Sequence, residues 1–175
     1  MITAPKHTLY IVTGAPGAGK STTIRAFIAL KTTYLAFDID WLAPAASALA
    51  QKNIYFEPAT WKPYADLWFE VLHAIYKNGE TPLFFSPNSP QDMTHFRVPS
   101  WCEDMQWLLL DCDDEVRRKR LALRQNWTQT RVAEALEDAQ ELRQSIAQHV
   151  NTGTQSPHEV AKQILAWLKR NETNQ

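Results

Sequence analysis

A glycine-rich run near the start of the chain constrains its fold more than any other feature. It reads Gly-Ala-Pro-Gly-Ala-Gly-Lys-Ser and matches the pattern G-x-x-x-x-G-K-[ST] at every fixed position. Glycines let the backbone fold tightly around an anion, and a helix that begins beside the loop adds the positive end of its dipole. The pattern predicts that Lys20 reaches the β- and γ-phosphates of a nucleotide and that the Ser21 hydroxyl is a ligand of Mg²⁺. The residues predicted to bind the phosphates are Gly14, Ala15, Pro16, Gly17, Ala18, Gly19, Lys20, Ser21 and Thr22.

Apolar runs of strand length alternate with longer amphipathic stretches along the chain. Residues 9–12 lie just before the glycine-rich run and are apolar throughout, as expected for a strand covered on both faces. This alternation is typical of an α/β fold, a parallel sheet with helices on both faces. Further strands are predicted at 34–37, 82–85 and 107–110, with a weak fifth strand at 149–151. Helices are predicted at 21–30, near 60–78, at 113–125, at 130–147 and from 157 onward.

The composition is that of a globular protein of one domain. Of 175 residues, 45% are hydrophobic and 21% are charged, a balance that argues against disorder, collagen and coiled coil. The net charge of −1 predicts no overall nucleic-acid or polybasic membrane footprint. Apolar runs stay short of the roughly 18 residues of a membrane helix, and the N-terminus lacks the apolar stretch of a signal peptide. We therefore expect a cytoplasmic domain over 1–170 and a frayed tail over 171–175.

Cysteine and histidine offer no metal site or disulfide framework in this sequence. Cys102 and Cys112 are the two cysteines, so neither a set of disulfides nor a four-cysteine metal site can form. The five histidines show no pair at the helical spacing of metal ligands. The chemistry is therefore expected at the glycine-rich loop.

Three segments resemble the small P-loop kinases. They are GAPGAGKST, the FDID that ends the second predicted strand, and LLLDCDDEVRRKRLALR. The family includes nucleoside and nucleotide kinases, shikimate and gluconate kinases, and chloramphenicol phosphotransferase. The resemblance covers most of the chain and implies a P-loop NTPase fold with strand order 2-3-1-4-5, and ATP and Mg²⁺ as cofactors. It also implies that 151–160 form the adenine-side loop and the start of the closing helix. It further implies an acceptor-binding insert at about 41–78 and a lid at about 117–131.

Asp38 and Asp40 follow the second predicted strand. Residues two apart in a strand point to the same face, so both carboxylates are expected beyond the strand's C-terminal edge, where open parallel sheets bind ligands. Phosphoryl transfer uses one carboxylate at Mg²⁺ and another that orients or deprotonates the acceptor hydroxyl. The pair resembles the D-x-D of shikimate kinase, which implies a metal role for Asp38 and a base role for Asp40. The alternatives are a polar strand end, or Asp40 as the cap of a helix from Trp41.

The arginines of the segment 113–125 are candidates for a phosphoryl clamp. Arg117, Arg120 and Arg124 share one helical face, and the R-L-x-x-R pattern formed by the last two resembles the start of the kinase lid. The resemblance implies that Arg120 and Arg124 stabilise the transferring group through bidentate, charge-assisted hydrogen bonds. The alternative is a solvated charged face. Arg117, Arg118, Lys119 and Arg131 are assigned no role.

The third predicted strand departs from the pattern of P-loop ATPases. It ends in Ser86 and lacks the terminal aspartate of a Walker B motif. Either Ser86 holds a metal-bound water in its place or Asp38 fills the role alone. This departure disfavours a motor ATPase more than a kinase of the D-x-D type.

Trp41 and Trp61 are candidates for the wall of an acceptor site. Trp41 follows the aspartate pair, and Trp61 lies in the region where the resembled kinases insert an acceptor-binding helical segment. Aromatic walls suit a flat acceptor, whereas core packing is the alternative for both residues. For Trp68, Trp107 and Trp167, core packing is expected.

These observations imply transfer of the γ-phosphoryl group of Mg-ATP to a hydroxyl or phosphate of a small molecule, with a nucleoside- or nucleotide-like acceptor favoured. The alternatives are an antibiotic or sugar-acid phosphotransferase and a regulatory ATPase without an acceptor. Near Trp61 the sequence offers only Lys52 and Lys62 as basic residues, which favours a neutral hydroxyl over a phosphorylated acceptor. No nucleic acid or membrane partner is expected, and the oligomeric state stays open.

Overall fold

The computed structural model describes residues 7–96, 98–125 and 127–173, which contain a sheet of five strands, all paired in parallel. The strands are β1 (His7–Thr13), β2 (Tyr34–Asp38), β3 (Thr81–Phe85), β4 (Cys102–Asp111) and β5 (His149–Asn151). Their order across the sheet is β2-β3-β1-β4-β5, so the predicted fold class and strand order are confirmed. Strand β4 is longer than predicted because charged residues at 103 and 104 interrupt its apolar pattern.

Helices cover both faces of the sheet. They are α1 (Lys20–Ala29), α2 (Ala43–Ala50), α3 (Trp61–Lys77), α4 (Asp114–Ala122), α5 (Gln129–Ser145) and α6 (Pro157–Thr173). Alternate residues of β1 point to opposite faces: Tyr10 and Val12 pack with α1 and α6, whereas Leu9 and Ile11 pack with α3. Helix α5 buries Leu142 against β4. Within the described residues, no helix combines the length and the apolar character that crossing a bilayer requires.

The two ends of α6 differ in how well the sequence predicts them. Ser156 and Glu159 form the expected capping box, in which the Glu159 amide donates to the Ser156 hydroxyl and the Ser156 amide donates to the Glu159 carboxylate. Helix α6 includes 171–173, the first residues of the segment expected to fray, and the Asn171 side chain donates to the Trp167 carbonyl at 2.7 Å. Residues 174 and 175 lie outside the described residues.

Strand register brings the predicted functional segments to one edge of the sheet. Val12 of β1 and Asp38 of β2 both pair with Phe85 of β3, so these three residues lie in one row across the sheet. The glycine-rich loop, Asp40 and Ser86 therefore follow their strands at the same C-terminal edge. This is the edge at which open parallel sheets bind ligands.

Candidate functional site

The loop between β1 and α1 has the backbone of an anion cradle. Gly17 and Gly19 adopt φ values of +84° and +91°, which side-chain-bearing residues rarely adopt. At Gly14 a Cβ atom would lie 2.6 Å from the Leu110 carbonyl oxygen, so glycine is needed for packing on β4. Gly19 is the N-cap of α1, which has no side-chain capping hydrogen bond. The Thr22 amide donates to the Gly19 carbonyl at 3.2 Å, and the amides of Lys20 and Ser21 before it are placed to bind an anionic ligand.

Lys20 lies at the start of α1, and its ammonium donates a hydrogen bond to the Gly14 carbonyl across the loop. Burial lowers the pKa of Lys20 to about 8, although the carboxylates of Asp38 and Asp40 act in the opposite direction. A buried ammonium that the protein neutralises only in part suits an anionic ligand such as a phosphate.

Asp38 and Asp40 lie close together, but they do not both belong to strand β2 as the sequence predicted. Strand β2 ends at Asp38, and residues 39–41 form a short 3₁₀ turn. Asp38 is 6% exposed and caps this turn by accepting a hydrogen bond from the Asp40 amide at 3.0 Å. The premise that both belong to one strand is therefore wrong, because the capped turn ends the extended backbone. Burial, and then the charge of Asp38, raise the pKa of Asp40.

A cavity of about 370 Å³, here called the loop cavity, joins these groups. Residues 15–21 line it together with Asp38 and Asp40. The hydroxyl of Ser21 and the carboxylate of Asp38 are hard oxygen donors of the kind that Mg²⁺ prefers, and Mg²⁺ usually keeps several waters and binds alongside substrate phosphates. Among the described residues, no group of three or more His, Cys, Asp or Glu side chains could hold a metal by itself. Ser21 and Asp38 therefore fit Mg²⁺ held jointly with phosphates.

A second cavity, of about 280 Å³, opens on the other side of the loop and is called the Thr152 cavity. Arg120 lines it and donates to the Gly17 carbonyl at 3.1 Å and to the Thr152 carbonyl at 2.6 Å. The Thr152 hydroxyl donates in turn to the Ala18 carbonyl at 2.8 Å. Arg120 is thus held between the loop and the connection from β5 to α6.

Arg124 lies between the two cavities and lines both of them. Its guanidinium lies 5.7 Å from the ring centre of Trp127, which also lines the loop cavity. The segment expected to form a lid at 117–131 contains the C-terminal part of α4, a short connection and the first turn of α5; residue 126 of that connection lies outside the described residues.

Arg117, to which the sequence assigns no role, is the most deeply buried charged residue of the site, with an exposed fraction of 0%. It donates to the carbonyls of Ala15 at 3.3 Å and Pro16 at 2.7 Å, and to the Asp111 carboxylate at 2.6 Å. Asp111 also accepts from Arg143 of α5 at 2.6 Å. In the sequence, the one sign of a role for Arg117 was its position on the same helical face as Arg120.

A third cavity, of about 270 Å³, borders the loop cavity and is called the Trp61 cavity. Ile39, Asp40, Tyr55 and Pro87 line both cavities, so Asp40 lies in their shared wall. Trp61 is 49% exposed at this cavity, and its indole nitrogen donates to the Ile54 carbonyl at 2.9 Å.

Trp41 does not line the Trp61 cavity. It is 51% exposed, and its ring packs edge-on against Phe37 at 6.4 Å. The structure therefore brings Trp61 and Asp40 together and leaves Trp41 apart. Of the tryptophans expected in the core, Trp68 and Trp167 are buried and Trp107 is partly buried against it.

Tyr55 and Asn88 are lining residues that the sequence did not single out. Asn88 reaches the cavity through a turn after β3, in which the Ser86 hydroxyl accepts a hydrogen bond from the Asn88 amide at 3.2 Å. The Asn88 carbonyl accepts from the Thr13 hydroxyl at 2.8 Å. Ser86 thus shapes the turn, whereas its neighbour Pro87 lines the loop cavity.

No protein-family model matches this chain, and no curated protein matches its sequence. Solved structures match it in fold. A tunicamycin resistance protein from Deinococcus radiodurans has a TM-score of 0.64 at 19% identity, over 93% of this chain and 95% of that chain. A sugar kinase from Janibacter sp. has a TM-score of 0.63 at 19% identity, over 95% of both chains. A gluconokinase from Sinorhizobium meliloti has a TM-score of 0.60 at 16% identity, over 98% and 97%.

These similarities extend over nearly the whole chain and are similarities of fold. They confirm that the chain has the five-stranded parallel fold of the small P-loop kinases, with helices on both faces of the sheet.

Proposed function

We propose that this chain, which has the fold of the small P-loop kinases, transfers the γ-phosphoryl group of Mg-ATP to a small-molecule acceptor. The observation that carries the proposal is the position of Asp40 in the wall between the loop cavity and the Trp61 cavity. A carboxylate at that point can face both a phosphate held by the loop and an acceptor held beside it. The size of the Trp61 cavity favours a small molecule over a nucleic acid as acceptor. We also propose that the enzyme is cytoplasmic.

The loop and Lys20 would hold the donor. The uncapped amides at the start of α1 and the buried ammonium of Lys20 both favour bound phosphate. Ser21 and Asp38 would hold Mg²⁺, which neutralises the phosphate charge that develops during transfer. Rate enhancement then comes mainly from positioning and from electrostatic stabilisation.

Asp40 would act as the base. In the transfer step, the acceptor oxygen forms a bond to the γ-phosphorus, and the bond from that phosphorus to the bridging oxygen breaks. The electron pair of the broken bond stays with the nucleoside diphosphate, and the hydroxyl proton moves to Asp40. The raised pKa of Asp40 suits a group that receives a proton.

The two candidate clamp arginines divide between different tasks. Arg124, which lines the loop cavity, is proposed to stabilise the transferring phosphoryl group. Arg120, which is bonded to Gly17 and Thr152, is proposed to shape the nucleotide side of the Thr152 cavity. Tyr55 and Trp61 would contact the acceptor, in place of the predicted role of Trp41.

The test is release of ADP from Mg-ATP across a panel of nucleosides, nucleotides, sugar acids and hydroxylated antibiotics. We expect turnover that depends on the acceptor and is lost in Lys20→Ala. Slow hydrolysis that no acceptor accelerates would overturn the kinase proposal and favour a regulatory ATPase.

Asp40→Asn tests the base in the same assay. With an accepted substrate, we expect turnover to fall by about 10²- to 10⁴-fold, the usual contribution of general-base catalysis, while nucleotide still binds. Asp66→Asn is the matched control, because Asp66 is exposed and pairs with Lys62 outside the site. Unchanged turnover in Asp40→Asn would show that Asp40 is not the base.

A further inference from the structure

The walls of the Trp61 cavity are mainly aromatic and aliphatic. Ile54, Tyr55, Trp61, Tyr64 and Phe96 are among the residues that line it. Small-molecule sites typically measure about 300–1,000 Å³, and this cavity of about 270 Å³ lies just below that range. Aromatic walls of this kind pack best against a flat apolar body. The cavity therefore suits a compact ligand built on one ring system.

The polar atoms of two of these lining residues, Trp61 and Tyr64, already form hydrogen bonds within the protein. The indole nitrogen of Trp61 donates to the Ile54 carbonyl at 2.9 Å, and the Tyr64 hydroxyl donates to the Ile39 carbonyl. The same Ile39 carbonyl accepts from the Trp68 indole nitrogen at 3.0 Å. These bonds engage the polar atoms of Trp61 and Tyr64 within the protein and leave their rings as apolar lining.

The polar side chains left for a ligand are few. Asp40 and Asn88 lie on the side of the cavity that meets the C-terminal edge of the sheet, and Tyr55 bridges it to the loop cavity. The Asn88 amide nitrogen has one long contact to the sulfur of Met93, at 3.9 Å. One carboxylate, one amide and one phenol match a ligand with one or two hydroxyl groups.

The charge of the cavity is negative. Asp40 is the one charged side chain among its described lining residues. Lys62, the basic residue next to Trp61 in sequence, pairs with Asp66 at 2.6 Å and is 56% exposed. The Lys20 ammonium is bonded to Gly14 in the loop cavity. A carboxylate on the acceptor would meet Asp40 in a cavity that no basic side chain among the described residues lines, and taking a charge out of water is costly there.

We propose that the acceptor is an uncharged alcohol on a flat, largely apolar body, and that the cavity rejects compounds bearing a carboxylate or phosphate on that body. The transfer step itself rests on the proposed function: the alcohol oxygen takes the γ-phosphoryl group, its proton moves to Asp40, and nucleoside diphosphate leaves. The selectivity against anions belongs to the cavity and is measurable without nucleotide.

The test uses two probes of matched size, 1,4-benzenedimethanol and 4-(hydroxymethyl)benzoate. Both carry a benzylic alcohol on one ring, and they differ in the charge of the group opposite. Binding to the full chain is titrated by saturation-transfer NMR without nucleotide, and ADP release is measured separately with Mg-ATP. We expect the diol to bind at least about tenfold more tightly, because like-charge juxtaposition is strongly unfavourable. Equal or tighter binding of the benzoate, or binding of neither probe, would overturn the inference.

A charge-insertion variant locates the selectivity in this cavity. Ala65→Lys places an ammonium on the α3 wall of the cavity and is expected to erase or reverse the preference for the diol. Ala74→Lys is the matched control, because Ala74 is exposed on the same helix outside the cavity and should leave the preference intact. A preference that Ala65→Lys does not change would overturn the assignment to this cavity.

The two readouts separate the two proposals. Tighter binding of the diol without ADP release from any acceptor would support the cavity's selectivity and overturn the proposed kinase activity. Turnover with the benzoate in preference to the diol would support the kinase activity and overturn the selectivity.

Discussion

At the scale of single residues, Lys20 shows how the site is prepared for an anion. Burial brings its pKa to about 8, well below the ordinary lysine value of 10.5. Between these two pH values the unfolded chain binds more protons than the folded one, so the contribution of Lys20 to stability rises with pH in that window. A bound polyphosphate acts in the opposite direction, because its negative charge favours the protonated ammonium.

Nucleotide affinity should therefore fall as pH rises through the pKa of Lys20. We expect the Kd for ADP to vary little between about pH 7 and 7.5 and to rise toward tenfold per pH unit above about pH 8, where binding takes up one proton. Calorimetry at several pH values, in buffers of different ionisation enthalpy, measures both the Kd and the proton uptake. Lys20→Arg, which keeps its charge across this range, should show neither effect. A Kd for the wild type that is constant up to about pH 9.5 would contradict this account.

At the scale of elements, α4 holds two parts of the site in place. Arg117 and Arg120 lie three positions apart and so share a face of the helix. Arg117 bonds the carbonyls of Ala15 and Pro16, whereas Arg120 bonds Gly17 and Thr152. The helix thus connects the loop to the segment between β5 and α6. Its arginines stabilise the structure of the site and also supply positive charge near a bound ligand.

Removing Arg117 should destabilise the whole domain. Arg117→Ala leaves two loop carbonyls without this donor and leaves Asp111 with Arg143 as its arginine partner. Removing one member of a buried ion pair costs about 3–5 kcal/mol. The Tm should fall by roughly 6–12 °C or more. Arg118→Ala is the control, because Arg118 is exposed on the same helix and should change stability by less than about 0.5 kcal/mol. Thermal unfolding followed by circular dichroism compares the two; similar Tm values would refute the supporting role.

At the scale of the whole molecule, the site collects residues from distant parts of one sheet edge. The loop follows β1, Asp38 ends β2, Asn88 follows β3, and Thr152 follows β5. A nucleotide that contacts the loop together with the Thr152 cavity would add to the bonds that join these segments, which are made by Arg120 of α4 and by the Thr152 hydroxyl to Ala18. Its binding energy should therefore add to the stability of the entire domain.

Nucleotide should raise the Tm of the wild type. At a concentration one hundred times its Kd, a ligand specific for the folded state adds about 2.7 kcal/mol. For a chain of this size that corresponds to an increase of roughly 5–10 °C. Differential scanning calorimetry with Mg-ADP measures the increase, and Lys20→Ala should lose most of it at the same concentration. A wild-type Tm that does not respond to Mg-ADP would argue against a nucleotide site.

The sequence by itself determined the loop and the sheet. The glycine pattern is contiguous, so its turn, its phosphate-binding amides and the helix that follows are encoded within a few neighbouring residues. Apolar strands alternating with amphipathic helices similarly require a covered parallel sheet. The fold class could therefore be predicted before any contact was known, whereas the strand order was implied by the resemblance of three segments to the small P-loop kinases.

The tertiary structure decided the roles of the side chains around the loop. Arg117 and Ala15 are 102 positions apart, so the burial of the arginine against the loop depends on the packing of α4 beside β4 and leaves no local pattern in the sequence. Asp40 lies in a turn that Asp38 caps and not in the strand. The two-residue spacing of these aspartates fits a strand and a capped turn alike, so the sequence does not distinguish between them. Tyr55 and Asn88 line the Trp61 cavity and Trp41 does not. The sequence does not predict this, because the walls of a cavity form where separate segments of the chain meet.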